Sequence, residues 1–192
     1  MIHTRQQGRR TPEYVAWIDV ETTGTDPESD YLLEVGAVVT DLHGKIIGNP
    51  FEALVSVPSL SSVIAQTSEV VCLMHEKSKL WLDLWTKEVK SLECVDKKIS
   101  DWLSFSVAEE DATVYFGGNS ITLDRNFVKR NLPGFYKKLS YRSIDVTSLS
   151  IAIQSNTNNL GYEKSKDHRA LSDAIDSARE YLHYINFLKT HN

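Results

Sequence analysis

Asp19 and Glu21 stand two residues apart at the end of an apolar run, Tyr14-Val15-Ala16-Trp17-Ile18, and Thr22-Thr23-Gly24 follows directly. In a strand, positions i and i+2 face the same way, so both carboxylates project from one spot beside a turn that Gly24 permits. Like charges this close repel, and a divalent cation is the usual reason to keep them together. The other reading is a strand edge whose acids are simply hydrated. Three later residues bear on that choice. Asp124 lies on the side of a helical stretch that also carries Phe127 and Val128, which directs it inward. His168 and Asp173 are five residues apart, and five residues turn an ideal helix by about 140°, so the two cannot share a face. His168 is therefore expected on the polar stretch before the last helix, with Asp173 one turn inside it. A mobile imidazole that exchanges protons near neutral pH, beside a fixed carboxylate, suits metal-assisted hydrolysis. A set of acids without thiolate favours Mg²⁺ or Mn²⁺ over zinc.

The elements that must position these groups follow from periodicity. Strands are predicted at Tyr14–Val20, Tyr31–Leu42 and Phe51–Val57, a meander with turn chemistry at His43-Gly44. Helices fill the middle third: Ser61–Leu73, weakly periodic, then Lys79–Trp85, then a helix through Leu92, Val95, Ile99, Trp102 and Leu103. Trp81, Trp85 and Trp102 fall within that apolar periodicity and are expected to pack. A strand at Thr113–Phe116 ends in Gly117-Gly118-Asn119-Ser120, where Ser120 is expected to cap a helix reaching Asn131, ended by Pro133-Gly134. Ser140–Asp145 is a further strand and Val146–Gln154 a further helix, followed by the polar tract Ser155–Asp167. The final helix runs from about Arg169 to Leu188 on a stripe of Leu171, Ala174, Ile175, Ala178, Leu182, Ile185 and Leu188. The fold class is α/β: a mixed five-stranded sheet, a three-stranded antiparallel meander plus further strands, flanked by helices.

At 192 residues, 41% apolar and 24% charged, the chain has the composition of one ordinary globular domain, expected over residues 14–190 behind a flexible tail at 1–13. No apolar run approaches the roughly 20 residues needed to span a bilayer. Cys72 and Cys94 are isolated, which fits a reducing cytoplasm and excludes a disulfide framework. A net charge of −5 argues against a broad basic surface for long nucleic acid, but not against a nuclease that grips one end of a short substrate.

Asp19, Glu21, Asp124, His168 and Asp173, in this order and context, resemble the DEDDh 3'-to-5' exonuclease family of the ribonuclease H-like superfamily, from about Tyr14 to Leu188. Within it, Trp17-Ile18-Asp19-Val20-Glu21, Gly118-Asn119-Ser120 with Asp124-Arg125, Tyr141-Arg142, and His168-Arg169-Ala170-Leu171 are most similar to oligoribonucleases. The resemblance implies a homodimeric enzyme acting on short single-stranded oligonucleotides, RNA favoured over DNA. The four carboxylates would hold two Mg²⁺ or Mn²⁺ ions, roughly 3.5 to 4 Å apart in such sites. His168 would be general base. Thr22, His75 and Ser120 would meet the substrate, and Tyr141 and Arg142 would reach the partner's active site.

Two departures matter. Thr25 stands where oligoribonucleases carry a leucine that wedges between bases, and Val70 where they carry a tryptophan. A stacked base is worth roughly 1–3 kcal/mol, so the grip on terminal bases should loosen. Thr22-Thr23-Gly24 is also closer to the proofreading exonucleases of DNA polymerases. A proofreading or repair DNA exonuclease is therefore the second reading, and a nucleic-acid-binding module without catalysis the third.

Overall fold

A computed structural model describes residues 11–158, 161–165 and 168–190; most of the expected tail, residues 1–10, lies outside them. Three long strands, β1 (Glu13–Thr22), β2 (Leu32–Asp41) and β3 (Ile46–Leu54), form the antiparallel meander. β4 (Thr113–Gly118) and β5 (Ser143–Asp145) add in parallel on the other side, giving the order β3-β2-β1-β4-β5. The helices are α1 (Leu60–Gln66), α2 (Glu69–Lys77), α3 (Leu80–Thr86), α4 (Leu92–Ser106), α5 (Thr122–Asn131), α6 (Pro133–Tyr136), α7 (Val146–Asn156) and α8 (Ala170–Thr190). None is long and apolar enough to cross a membrane.

The central strands are apolar on both faces because helices cover both. Ala16, Ile18 and Val20 of β1 pack with Val95 and Ile99 of α4 and Phe127 and Val128 of α5. Val15 and Trp17, of opposite parity, pack with Val146 and Ile153 of α7 and Tyr181 and Tyr184 of α8. Fully burying a side chain such as Ile18 or Phe127 contributes about 1.5–3 kcal/mol. Trp17 keeps its indole N–H satisfied by Thr40 Oγ1 at 2.8 Å. This alternation matters for function: Asp19 and Glu21 share the parity of Val15 and Trp17, so they emerge on the α8 face, while Asp124 belongs to a helix on the other.

Several local expectations are corrected. The helix expected over Ser61–Leu73 is two helices, broken at Thr67-Ser68. Ser120 does not cap α5; Ile121 occupies that position, and Ser120 takes a left-handed φ of 49°. Pro133-Gly134 opens the short α6, and β5 is three residues long. Trp81 is buried and Trp102 packs on Phe51, but Trp85 is 62% exposed. On α8 the fully buried face includes Asp176, Ser177, Glu180, Tyr181 and Tyr184 as well as Ala170 and Ala174, whereas Leu171, Ile175 and Ala178 are only half-buried.

Candidate active site

The C-terminal end of β1 carries Asp19 and Glu21, and a bulge at Glu21/Thr22 breaks the β1–β2 register there. Such bulges aim side chains at the end of a sheet. The turn beyond is held by Asp30, whose carboxylate accepts from Thr23 Oγ1 and the Asp26 N–H. A Cβ on Gly24 would lie 2.4 Å from that carboxylate, so the small residue serves close approach. α8 passes over the same strand end and supplies Asp173 from its first turn. Among the described residues, carboxylate oxygens of Asp19, Glu21 and Asp173 all lie within 4.8 Å of one another. Asp124 arrives from α5 on the opposite face, and its Oδ1 accepts the Val20 N–H at 3.1 Å. It stands outside that trio while adjoining it.

The electrostatics are those of crowded acids. Burial, then Asp124, Glu21 and Asp173, push the Asp19 carboxyl well above the usual range, with Lys164 opposing them. Burial, then Glu34 and Asp173, push Glu21 up to about 8, against Arg169. Burial pushes Asp124 up to about 6, although the Val20 N–H favours its ionised form. A divalent cation would reverse these shifts by giving the carboxylates the charge partner they lack among themselves. The donor set is all oxygen, and three acids already share one small volume, so the residues present fit hard cations such as Mg²⁺ or Mn²⁺.

His168 is exposed, two residues before α8, with a left-handed φ of 47°. For a residue with a Cβ this conformation costs about 1–3 kcal/mol, a strain found where surrounding structure imposes it. His168 thus precedes the helix and Asp173 lies in its first turn.

His75 occupies a different place from a substrate contact. It is wholly buried, with Nε2–H donating to the Thr22 carbonyl at 2.8 Å and its ring edge-on to Trp81. Its Nδ1 is 3.7 Å from Glu21 Oε2 and makes no hydrogen bond, and burial lowers its pKa, so this is a neutral imidazole behind Glu21 and not an ion pair. Thr22 is buried and folds its hydroxyl onto the Gly24 carbonyl. Ser120 is exposed at the end of β4, its N–H donating to Asp145 Oδ1 and its hydroxyl to Thr147.

Tyr141 and Arg142 precede β5 at the other end of the sheet, beside Glu13 and Tyr115. Tyr141 is 80% exposed, and Arg142 Nε donates to its hydroxyl at 3.0 Å. Ser143 is level with Phe116 and Ala16 in the ladder, so Arg142 lies two strands from β1 and about four residues, roughly 13 Å of strand, short of Asp19, which sets this pair apart from its own chain's acids.

Three groups escaped the sequence reading. Glu34 and Arg169 form a two-pronged ion pair beside the site, joined by Asp83. Asn119 donates to Ser177 Oγ at 2.9 Å, tying the β4 turn to α8. Lys164 pairs with the buried Glu180 at 3.0 Å, and the Ser165 N–H donates to Asp176 at 2.6 Å. The available signal was Glu34 itself, a charge inside the apolar run Leu32–Val35 that needs a partner.

The profile of the RNase T family, described as exonuclease, matches residues 16–181. The oligoribonuclease of Mycobacterium leprae is 33% identical over 175 residues, covering 88% of this chain and 79% of that protein. That of Nocardia farcinica is also 33% identical, over 173 residues, 88% of this chain and 78% of its own length. Among solved structures, zinc-bound E. coli exonuclease I in complex with single-stranded DNA superposes with a TM-score of 0.62 at 14% identity over 94% of this chain. Exonuclease I of Methylocaldum szegediense gives 0.60 at 16% identity over 92%. The present chain spans 43% of either exonuclease I chain, and the likeness is one of fold.

Proposed function

The chain belongs to the RNase T exonuclease family, and from that premise we propose that it is a two-metal 3'-to-5' exonuclease. It hydrolyses short single-stranded oligonucleotides, RNA in preference to DNA, to nucleoside 5'-monophosphates. The observation that carries the reading is the convergence of Asp19, Glu21 and Asp173, with Asp124 adjoining, at the strand end where α8 supplies Asp173 from its first turn.

Asp19, Glu21, Asp124 and Asp173 would hold two Mg²⁺ or Mn²⁺ ions. When bound, these supply Lewis-acid polarisation of the phosphate, an acidified water and charge relief at the leaving 3' oxygen. His168 accepts the proton of the attacking water from its exposed position at the α8 entry. Ser120 offers a hydroxyl to the substrate at the strand ends. His75, buried behind Glu21, supports that carboxylate and the Thr22 carbonyl. The distance of Tyr141 and Arg142 from their own acids supports their use in trans, across a homodimer, where an aromatic ring and a guanidinium suit a nucleotide's base and phosphate.

The oligoribonuclease relatives favour RNA. The DNA reading rests on Thr22-Thr23 and on Thr25, which is exposed in place of the leucine wedge. The test is a time course on 5'-labelled RNA and DNA of matched sequence and graded length, with Mg²⁺ or Mn²⁺. Stepwise shortening from the 3' end, faster on RNA and slowed at least about 100-fold in His168→Ala, is expected. Endonucleolytic products, or wild-type rates in His168→Ala, would overturn it.

A further inference from the structure

Arg169 separates His168 from the first residue of α8, and its side chain is gripped more fully than either neighbour's role requires. Its Nε and Nη2 donate to the two oxygens of Glu34 at 3.1 and 2.6 Å, and its Nη1 donates to Asp83 Oδ2 at 2.7 Å. Glu34 also accepts the Ala170 N–H at 3.1 Å. Asp83 is in turn held by Lys87 Nζ at 2.9 Å. Thus β2 and α3 together fix one guanidinium and one backbone amide at the start of α8. The backbones are tightly apposed here as well: a Cβ on Gly36 would lie 2.1 Å from the Leu171 nitrogen, so no larger residue fits without moving α8.

This grip matters because of what flanks it. The His168 side chain is exposed, and its left-handed backbone is a strain that the adjoining clamp at Arg169 can impose. Asp173 follows one turn later, its N–H donating to the Arg169 carbonyl at 3.0 Å. Glu34 faces Glu21 across the β1–β2 ladder, which anchors the clamp on the rung that carries a site carboxylate. A guanidinium fork can hold both Glu34 oxygens and Asp83 at once; an ammonium is a single point and cannot reproduce the set.

We propose that Arg169, held by Glu34 and Asp83, is a positioning residue that fixes the α8 entry so that His168 and Asp173 keep the spacing hydrolysis requires. The inference rests on the nuclease reading for its consequence and on geometry alone for the clamp. Misplacement of a reacting group by about 1 Å can cost on the order of 100-fold in rate.

Arg169→Lys keeps the charge and removes the fork. Its kcat on a short RNA is expected to fall about 100-fold with KM nearly unchanged. In a His168→Ala background the same substitution is expected to cost about tenfold less than it does in the wild type, because only Asp173 is then left to position. A merely stabilising ion pair would instead give equal losses in both backgrounds, which overturns the proposal. Amide hydrogen exchange supplies a readout free of substrate: Ala170 and Asp173 should exchange at least about tenfold faster in Arg169→Lys, with Ala16 in β1 unchanged. Unchanged exchange at both amides overturns the clamp, whether or not the protein cleaves anything. Wild-type protein that hydrolyses no oligonucleotide would sink the nuclease reading and leave the clamp to be decided by exchange. If Arg169→Lys does not fold, Glu34→Gln, which keeps the shape and loses the charge, is expected to show the same exchange pattern and the same non-additivity.

Discussion

Glu21 and Glu34 face each other across the β1–β2 ladder, both nearly buried, and their surroundings treat them in opposite ways. Glu34 receives a guanidinium fork and a backbone N–H. Asp83, its companion, is partly buried, which raises it, yet hydrogen bonds from Lys87 and Arg169 hold it below the usual carboxylate range. Glu21 faces a neutral histidine and other acids, and is pushed up to about 8 by burial and then by Glu34 and Asp173. One group of acids is compensated by the protein's own cations and the other is left strained. Among the described residues, the Arg169 guanidinium hydrogen-bonds Glu34 and Asp83 and only weakens the upward shift of Glu21 through space, which leaves Glu21 suited to a cation from outside.

The contrast can be broken most severely at the strained acids. Asp19→Asn or Asp173→Asn is expected to lower hydrolysis by about 10³-fold or more, since each removes a cation ligand, while leaving metal-free stability equal or higher because repulsion is relieved. A stability loss with retained activity would reverse the assignment. At the compensated acids the expectation is opposite. Arg169→Ala leaves Glu34 buried and unpaired, and denaturant titration should show a loss of about 3–5 kcal/mol.

The third expectation concerns pH. Glu21 titrates at about 8 when folded, against an ordinary 4.5, so the folded chain binds this proton more tightly than the unfolded one. Its contribution to stability is complete below the ordinary value and is lost as pH rises toward the folded one, a few kcal/mol at most. Asp124, at about 6 against 3.8, acts in the same direction over a lower window. With chelator present, Tm should therefore fall between pH 5 and 8; added Mn²⁺ should raise it most at pH 8, and Glu21→Gln should flatten the dependence. The smallest effect lies outside both groups. Val70→Trp with Thr25→Leu should lower KM for a dinucleotide by the worth of a restored stack, about 1–3 kcal/mol; an unchanged KM would remove the stacking argument.

Legibility in the sequence tracks the range of the forces involved. The long strands and α4 were readable because their apolar periodicity is local, and the closeness of Asp19 to Glu21 because strand geometry puts i and i+2 on one face. Ser120 was misread as a cap because its hydroxyl and N–H bind Thr147 and Asp145, some 25 residues away, in preference to α5. The break at Thr67-Ser68 leaves no mark in a weakly periodic segment. The apolar stripe of α8 was offset because Asp176 and Glu180 are buried against Ser165 and Lys164, partners that no periodicity reveals. His75 was expected to meet the substrate; that it is instead buried behind Glu21 depends on how α2 docks on the β1 turn. Glu34 and Arg169 are 135 positions apart, and only the folded chain pairs them.

The most direct measurement is anomalous diffraction from crystals of the protein grown with Mn²⁺ and a non-hydrolysable dinucleotide. The account expects two peaks among Asp19, Glu21, Asp124 and Asp173, with Glu34 and Asp83 still bound to Arg169 and carrying no metal. Absence of metal from the first group, or Mn²⁺ seated on Glu34 and Asp83 instead, would contradict it.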